Sequence, residues 1–551
     1  MEKFKEKFIS VWKKIFLHPE EVESKFLEWF DSKKKLAFLT ALVVGIITHI
    51  TFITEMIFSQ DGLWNSLSYS VPTDWEMCLG RWGIFLADKV VNYLAIPNIT
   101  GVISILIIAI STVFVVDTLK LKNTITVFLA SAAMVVAPSL TSTMIYAYTS
   151  VAYCMAMLLT VLSVWLIFKK ASNIYTRILN IIFALVTFVI SLGIYQSYMG
   201  VVIGLTAMRL IRDLFDNEIS TKWFFIHGLI MVFVVIVGGL SYSWVTEIIL
   251  DNMDLEMVNY KGLSNIGVKN TIDNLPKSLP KIYEDFSSYY FDDEIVFNKI
   301  YSRDVMYKVM FGAVIILEVL SIFTNKIYKK PYKILFIALI TGILPIALNA
   351  VLLLTTDTST YVLTAAQLIL MIPFAAMICE VAGKKCTFIF RWTTIVSMFL
   401  IVFTYYLADN VSYHCLKQTY NQAYTTAIRI ADRIEQTQGY TPDRLILING
   451  IIETDMNYRY SKVNNLGDYT VGMFFRDCPV FHGTYTGMEG TWTNFFANYL
   501  GMRVQFVCTG DYENLVDHPQ YHEMGVWPAE NSVQFINHAI VVKLREEPTM
   551  P

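Results

Sequence analysis

Charged residues are scarce in this chain. Of its 551 residues, 16% are charged and 55% are hydrophobic, and the mean hydropathy is +0.49. In a soluble globular protein about a quarter of the residues are charged. The apolar residues here also fall in blocks that are long enough to cross a bilayer. The scarcity of charge therefore excludes a wholly soluble enzyme and a disordered chain.

Other absences narrow the function further. The net charge is -3, so the chain has no basic excess with which to bind the phosphate backbone of a nucleic acid. Seven cysteines are too few for a disulfide-dense secreted scaffold. The sequence shows no internal repeats, and it contains no metal-ligand spacing, P-loop or dinucleotide fingerprint. What is present is a series of apolar segments, which indicates a polytopic α-helical membrane protein.

About eleven apolar segments predict the transmembrane helices. They are residues 36–58, 100–116, 124–137, 151–168, 178–194, 198–210, 223–245, 306–323, 334–354, 361–380 and 392–407. Several are shorter than the ~20 residues that a perpendicular span needs. We therefore expect the third, fifth and sixth segments to be joined by tight hairpins or shielded by neighbouring helices.

Lysine and arginine occur in alternate loops, which predicts the orientation in the membrane. A basic run at residues 33–35 precedes the first segment, and every second loop after it is also basic. The intervening turns at 138–148, 195–197 and 355–360 hold no lysine or arginine. By the positive-inside rule, the N-terminus is predicted to be cytoplasmic and the C-terminus to lie outside.

The two ends of the chain differ from the apolar middle. Residues 1–35 are highly charged and carry apolar residues at helical spacing, which predicts an interfacial amphipathic helix and not a cleaved leader. Beyond Ala408, residues 420–434 have helical periodicity, and 444–450 and 539–544 are typical of strands. The predicted regions are an interfacial helix (1–35), a transmembrane domain (36–408) with outer loops 59–98 and 246–304, and a small α/β extracytoplasmic domain (409–551).

The first outer loop combines acids and an arginine with tryptophans. Ionisable groups at a membrane interface are costly to bury, which favours a functional role, and tryptophans can stack on sugar rings. A solvated loop beside an aromatic belt would explain the same composition equally well. The candidate residues of this loop are Asp61, Trp64, Asp74, Trp75, Glu76, Arg81 and Trp82.

Two further segments carry polar residues on the outer side. Tyr195, Gln196 and Tyr198 could donate hydrogen bonds to a substrate hydroxyl, although capping and gluing of helices is the more common role of such residues. The acids of residues 285–294 could hold a hard divalent cation. No ligand spacing supports a metal there, and a solvated acidic loop is the simpler interpretation. No cofactor is therefore predicted.

Taken in this order, the residues resemble the GtrII-type membrane glucosyltransferases, which belong to the GT-C class of polytopic glycosyltransferases. The motifs that carry the resemblance are the acid-bearing first loop with Asp61, Gly80-Arg81-Trp82, Tyr195-Gln196-Ser197-Tyr198, Trp527-Pro528, Ser532-Val533 and residues 540–544. The resemblance implies a GT-C-like fold and a polyprenyl-phosphate-linked donor of glucose or a related hexose. It also implies an acceptor glycan on the outer face of a bacterial membrane.

The chemistry of such a donor assigns roles to the loop residues. A phosphate leaves without needing an acid, so the reaction needs a base for the acceptor hydroxyl, and a positioned base contributes typically ~10²–10⁴ in rate. Asp61 is the predicted base. Family members often carry two adjacent acids early in the loop, whereas Gly62 follows Asp61 here, so assistance from Asp74 or Glu76 stays open. Arg81 is predicted to bind the lipid phosphate through its planar fork.

The tryptophans Trp64, Trp75 and Trp82 would stack on sugar or line a lipid groove. A single displacement would invert the anomeric centre, as the resemblance to the class implies.

Two other functions remain as alternatives. A glycolipid flippase or transporter would favour charges near the middle of the membrane and an internal repeat, and the sequence shows neither. A cell-wall-polymer assembly protein would use its outer domain for binding and would not need the membrane part.

Overall fold

The computed structural model of the chain describes residues 18–55, 62, 69–259, 268–296, 299–354, 360–383, 387–450, 488–508 and 518–546. Helices α1 to α16 run from the N-terminal side to Gln436. Their bounds are α1 Pro19–Trp29, α2 Ser32–Thr54, α3 Asp74–Cys78, α4 Gly83–Asp88, α5 Pro97–Thr118, α6 Thr124–Val135, α7 Pro138–Ile145, α8 Ser150–Phe168, α9 Ile174–Ile194, α10 Met199–Leu214, α11 Thr221–Met253, α12 Val268–Phe291, α13 Arg303–Thr324, α14 Pro331–Leu348, α15 Met371–Val381 and α16 Phe388–Gln436.

Every apolar segment that was predicted to span the membrane forms helix. Within the described residues, nine stretches are long and apolar enough to cross a membrane: α2, α5, α6 with α7, α8, α9, α11, α13, α14 and α16. The other two predicted segments form shorter helices, α10 with 16 residues and α15 with 11. Nearly all residues of α15 and most of α10 are buried, so neighbouring helices cover them.

Part of the region predicted as an interfacial helix, residues 1–35, forms the helix α1. Residues 1–17 lie outside the described residues, and α1 is followed at once by α2. The indole nitrogen of Trp29 donates a hydrogen bond to Asp117 at 3.2 Å. The end of α1 is thereby attached to α5.

The last transmembrane helix continues well beyond its predicted end. The predicted span 392–407 and the predicted helix 420–434 are parts of one 49-residue helix, α16. No proline or glycine occurs between its ends, so no residue removes a backbone donor or loosens the backbone to break it. The predicted domain boundary at residue 408 therefore lies inside a continuous helix.

A four-stranded sheet follows α16. Its strands are β1 Leu445–Asn449, β2 Gln505–Cys508, β3 Val533–Ile536 and β4 Ala539–Lys543, accompanied by helices α17 Met488–Tyr499 and α18 Pro519–Glu523. The strand order is β2-β1-β4-β3, with β1 parallel to both neighbours and β3 antiparallel to β4. Because β4 is buried throughout and β1 nearly so, both are apolar runs, as the sequence predicted at 444–450 and 539–544.

Polar residues collect at the two ends of the helical bundle. We call the end that holds residues 69–96, 195–198 and 360–364 the loop end, and the end that holds residues 33–35, 120–123 and 326–333 the basic end. At the basic end, the buried Asp213 carboxylate pairs with Arg209 at 2.7 Å and with Lys120 at 2.8 Å. The candidate residues of the first outer loop that the structure describes lie at the loop end.

Candidate active site

Two segments that are distant in the sequence meet at the loop end. Gly83 begins α4 and Gly193 lies in the last turn of α9. A Cβ on Gly83 would lie 2.7 Å from the carbonyl carbon of Gly193, and a Cβ on Gly193 would lie 2.5 Å from the ring of Trp82. Neither position has room for a side chain, so the two glycines allow the first loop to lie directly on the end of α9.

Gln196 holds this junction together. Its Nε2 donates to the carbonyl of Leu79 at 2.9 Å and to the hydroxyl of Tyr242 at 2.7 Å. The Tyr242 hydroxyl in turn donates to the carbonyl of Gly80 at 3.2 Å, and Gly80 adopts the left-handed region with φ of +69°. The described contacts of the Gln196 amide nitrogen thus favour the gluing role that the sequence left open.

Arg81 lies immediately beyond this junction, on a platform of aromatic rings. Its guanidinium carbon is 4.9 Å from the ring centroid of Tyr195, and its Nη1 is 3.4 Å from the hydroxyl of Tyr153. The rings of Tyr153 and Tyr195 stack at 4.6 Å. A cation on a ring face is attracted by the negative face of the ring, so Arg81 is oriented as a half-buried positive charge.

The tyrosine hydroxyls around Arg81 act as hydrogen-bond donors and not as bases. Burial raises the pKa of Tyr195 well above its usual range, and the nearby Tyr361, whose hydroxyl is 3.4 Å away, raises it further. The Tyr195 hydroxyl therefore keeps its proton at neutral pH and can act as a hydrogen-bond donor.

The acids of the loop occupy different environments. Asp74 lies exposed on α3, whereas the Glu76 carboxylate accepts hydrogen bonds from the amide and hydroxyl of Thr73 at 2.7 and 2.8 Å. Thr73 and Glu76 form a capping box, which begins a helix by satisfying its free amides. Asp61, the predicted base, lies outside the described residues.

The tryptophans are also placed differently from one another. The indole nitrogen of Trp82 donates to the hydroxyl of Thr246 at 3.2 Å, and its ring packs on Gly193. Trp75 is 50% exposed on α3. Trp64 lies outside the described residues. The structure therefore joins Trp82 to the junction and places Trp75 on the surface.

Asp88 is an acid of this site that the sequence did not identify. It ends α4 with 3% of its surface exposed. Burial, helped by the charge of Glu76, raises the pKa of Asp88 to about 8. Both acids and Arg81 lie within electrostatic reach of the Tyr153 hydroxyl. Its only signal in the sequence is that it lies four residues after the apolar Ile84. Residues four apart share a helix face, so a helix here places Asp88 on the same face as Ile84.

A second polar cluster lies at the loop end and comes from two other helices, α13 and α16. Arg303 is fully buried, with its guanidinium carbon 4.4 Å from the ring of Tyr405. The Tyr405 hydroxyl accepts a hydrogen bond from Tyr307 at 3.0 Å, and Asp409 lies one turn further along α16. The sequence did not single out these residues. Tyr307 and Tyr405 lie within apolar segments, and Arg303 and Asp409 lie just outside the ends of those segments.

The acidic segment 285–294 is not simply a solvated loop. Asp285 is buried and accepts a hydrogen bond from the amide of Thr360 at 2.7 Å, and Tyr289 and Tyr290 are fully buried. Within the described residues, no group of three or more histidine, cysteine or acidic side chains is arranged to hold a metal ion.

Comparison with known proteins identifies one family. A family model described as Glucosyl transferase GtrII matches residues 51–379, which is more than half of the chain. The match includes the junction, Arg81 with its tyrosines, and Asp88, and it ends before α16 and the sheet. No curated protein and no solved structure matches the chain.

Proposed function

Because the chain belongs to the GtrII glucosyl transferase family, we propose that it transfers glucose or a related hexose from a polyprenyl-phosphate carrier to a cell-surface glycan. Family membership supports glucosyl transfer, and the long apolar helices support insertion in a membrane. The proposal places the enzyme in a bacterial cell membrane, with the loop end of the bundle and the domain after α16 on the outer side.

The observation that carries the proposal is the position of Arg81. A half-buried guanidinium lies over Tyr195 at the end of a bundle of apolar helices. A lipid-linked donor needs this combination, since its chain requires an apolar surface and its phosphate requires a cation at the bilayer edge. Arginine binds phosphate oxygens with two parallel N–H donors, which fixes the orientation of the group as well as its position.

The reaction that follows is a single displacement. A base removes the proton of the acceptor hydroxyl as its oxygen attacks the anomeric carbon. The bond from that carbon to the phosphate oxygen breaks, and its electron pair leaves with the lipid phosphate, so the anomeric centre inverts. Arg81 stabilises the charge that develops on the leaving phosphate.

Asp61 remains our first candidate for the base. Of the two alternatives, the Glu76 carboxylate is occupied as the cap of α3, and Asp74 is exposed on the outside of the same short helix. Trp82, Tyr195 and Tyr198 would contact the sugar or the lipid. Gln196 would act indirectly by holding the loop that carries Arg81.

The test is a transfer assay with purified protein and a panel of polyprenyl-phosphate sugars. The readouts are the release of polyprenyl phosphate and the appearance of sugar on the acceptor. Asp61→Asn should abolish transfer and leave folding intact. Arg81→Ala should raise the KM for the donor, with partial rescue by Arg81→Lys, which keeps the charge but loses the fork. Asp251→Asn, an exposed acid near the end of α11, is the control.

Three results would contradict parts of this proposal. Transfer at the wild-type rate by Asp61→Asn would remove Asp61 from the role of base, and an unchanged donor KM in Arg81→Ala would remove the phosphate site. Movement of labelled lipid across proteoliposomes without any transfer product would instead support a flippase.

A further inference from the structure

A cleft opens at the basic end of the bundle, between the first turn of α6 and the first two turns of α16. Its volume is about 510 Å³, within the range of pockets that bind small molecules, roughly 300–1,000 Å³. The cleft has no role in the mechanism above, because Arg81 lies at the other end of the bundle. We call it the basic-end cleft, and the residues that line it are Asn123, Thr124, Ile125, Thr126, Phe388, Arg391, Trp392 and Ile395.

Arg391 is the charged residue that lines this cleft. Its Nε is buried and has no hydrogen-bond partner among the described residues. No ion pair between residues that the structure describes involves its guanidinium. Buried polar nitrogens are nearly always hydrogen-bonded, so an unpartnered one beside a cleft points to a bound acceptor. A guanidinium is a planar fork of donors that matches two oxygens of one anion, such as a phosphate.

A second cation lies at the mouth of the cleft. The ammonium of Lys33 donates to the hydroxyl of Thr124, one of the lining residues, at 2.7 Å. Of the acids that the structure describes, only Glu380 bonds to a lining residue. Its carboxylate accepts from the hydroxyl of Thr126 and from two backbone amides just before α6, at 2.8 and 2.9 Å. Glu380 is therefore engaged in capping α6, and it does not neutralise Arg391.

The remaining walls of the cleft are apolar and lie on the outside of the bundle. Phe388 is 69% exposed, Ile125 48% and Trp392 46%. A free phosphate would gain nothing from such walls, whereas a phosphate that carries acyl chains would bury them there. Tryptophan is enriched at the level of the lipid headgroups, and basic pockets between transmembrane helices bind the headgroups of anionic lipids.

We propose that the basic-end cleft binds an anionic phospholipid from the leaflet at this end of the bundle. The lipid phosphate binds Arg391 with Lys33 beside it, and the acyl chains lie against Phe388 and Trp392. A zwitterionic headgroup would bring a third cation next to these two, so the cleft should select a lipid with a net negative charge. The site is separate from the proposed donor site and does not depend on the proposed reaction.

The experiment measures binding through thermal stabilisation of the purified full chain in a non-ionic detergent. The probes are dioctanoyl phosphatidylglycerol, dioctanoyl phosphatidylcholine, dioctanoylglycerol and glycerol phosphate. Phosphatidylglycerol should give half of its maximal rise in Tm at a concentration at least tenfold lower than the other two lipids require. Glycerol phosphate, which has the phosphate without acyl chains, should not stabilise the protein. Added salt should weaken the effect of phosphatidylglycerol, because salt screens exposed charges.

Variants test the two cations. Arg391→Gln should raise the half-maximal concentration of phosphatidylglycerol about 10- to 100-fold, as expected for loss of hydrogen bonds to a charged group. Lys33→Gln should raise it about fivefold, as expected for one basic side chain near a membrane surface. The matched control is Arg212→Gln, because Arg212 is also a partly buried arginine at the basic end but does not line the cleft. It should respond to the lipid as wild type does.

A cross-link on the wild-type protein tests the site without any substitution. A phosphatidylglycerol with a photoreactive acyl chain should label the peptide that contains residues 388–395, and excess unlabelled phosphatidylglycerol should prevent this. Label found only elsewhere would overturn the proposal, even if Arg391→Gln fails to fold. Equal affinity for phosphatidylglycerol and phosphatidylcholine, or equal losses in Arg391→Gln and Arg212→Gln, would also overturn it. Stabilisation by glycerol phosphate at the concentration of the lipid would make the cleft a site for a soluble phosphate instead.

Discussion

At the scale of single residues, the junction between α4 and α9 depends on the absence of side chains. We predict that Gly193→Ala displaces Trp82, since the added Cβ would lie 2.5 Å from its ring while the indole is also held by Thr246. Overpacking of this kind costs about 1–3 kcal/mol. The loop that carries Arg81 would shift as well. Transfer should fall at least tenfold, as measured by release of lipid phosphate, and the Tm should fall.

The matched control is Gly239→Ala in α11, where a Cβ would meet no atom within 4 Å. Alanine favours a helix over glycine by about 1 kcal/mol, so this variant should be at least as stable as wild type and fully active. Equal losses in the two variants would mean that the contact with Trp82 is not what matters.

Asp88 also predicts how stability depends on pH. Its pKa rises from 3.8 to about 8 on folding, so between these values the folded chain holds a proton that the unfolded chain releases. Stability therefore falls as the pH rises through this range. Asp88→Asn cannot titrate. The Tm of Asp88→Asn relative to that of wild type should therefore be about 2 °C or more higher at pH 8.5 than at pH 5.

Thermal melts in one detergent at the two pH values measure this difference. Glu76 and Tyr153 interact electrostatically with Asp88 and are present in both proteins, so the part of their titration that does not depend on Asp88 cancels in the comparison. A difference in Tm between the variant and wild type that does not change with pH would contradict the prediction.

Much of the candidate site could be recognised from residue types, but its assembly could not. Arg81, Trp82, Tyr195 and Gln196 stood out because polar and aromatic residues at the ends of apolar segments are unusual. Their proximity depends on how α4 packs on α9, which no local pattern encodes. Tyr153 and Tyr242 were missed for a related reason, since a tyrosine inside an apolar segment resembles any other interior aromatic.

At the scale of elements, the sequence was most informative where burial is uniform. All the apolar segments form helices, and β1 and β4 form within a residue of their predicted bounds. The continuation of α16 was missed because residues 409–419 mix polar and apolar side chains without a clear period. A helix that leaves an apolar bundle and joins a second unit changes its buried face, so the periodicity on either side does not match.

The contact between α16 and the sheet predicts how the C-terminal unit is held. Arg433 donates to the carbonyls of Ala529 and Pro528 at 2.5 and 3.1 Å and to the hydroxyl of Ser532 at 3.0 Å. Its guanidinium carbon is 4.4 Å from the ring of Trp527. Without the guanidinium these acceptors would lose their hydrogen bonds. The loss costs about 1–3 kcal/mol of stability for each buried group that remains unsatisfied.

We therefore predict that Arg433→Met loosens the C-terminal unit and leaves the helical bundle unchanged. Limited proteolysis should cut near residues 437–444 at least several times faster in the variant, because that segment links α16 to β1. Gln436→Ala, an exposed position one turn further along α16, should be cut at the wild-type rate. Resistance of Arg433→Met equal to wild type would show that apolar packing alone holds the unit.

At the scale of the whole molecule, charge separates the two ends of the bundle. Each segment of the basic end contains lysines, but several of them are paired. Lys120 pairs with Asp213, and Lys34 contacts Asp31 and Asp117. The side chain of Lys33 donates to the Thr124 hydroxyl at 2.7 Å. The unpaired positive charge of this end is therefore smaller than the number of lysines in the sequence suggests. Lys169 and Lys170 are exposed and add positive charge there.

The orientation also depends on whether the two short helices cross the membrane. In the structure α10 begins beside Ser197, which bonds Thr364 at the loop end, and it ends at Asp213 of the basic end. The segment that contains α15 begins near Leu368, whose carbonyl accepts from Tyr290, and ends at Glu380. The Glu380 carboxylate accepts from the amide of Lys122 at the basic end. Each short helix thus joins the two ends of the bundle.

Cysteine labelling can test whether both short helices cross, because the number of crossings between two positions decides whether they lie on the same side of the membrane. Eight helices, α9 to α16, lie between Ser172, in the loop before α9, and Asp443, after α16, and both positions are exposed. If α10 and α15 both cross the membrane, seven of these helices, all except α12, are crossings. An odd number places the two positions on opposite sides. In a background without the native cysteines, Asp443→Cys should react with an impermeant maleimide on intact cells, and Ser172→Cys only after permeabilisation, as the positive-inside rule requires. Labelling of both on intact cells, or of neither, would show that one of the two short helices fails to cross. Labelling in the reverse pattern would invert the molecule and remove the proposed site from the outer face.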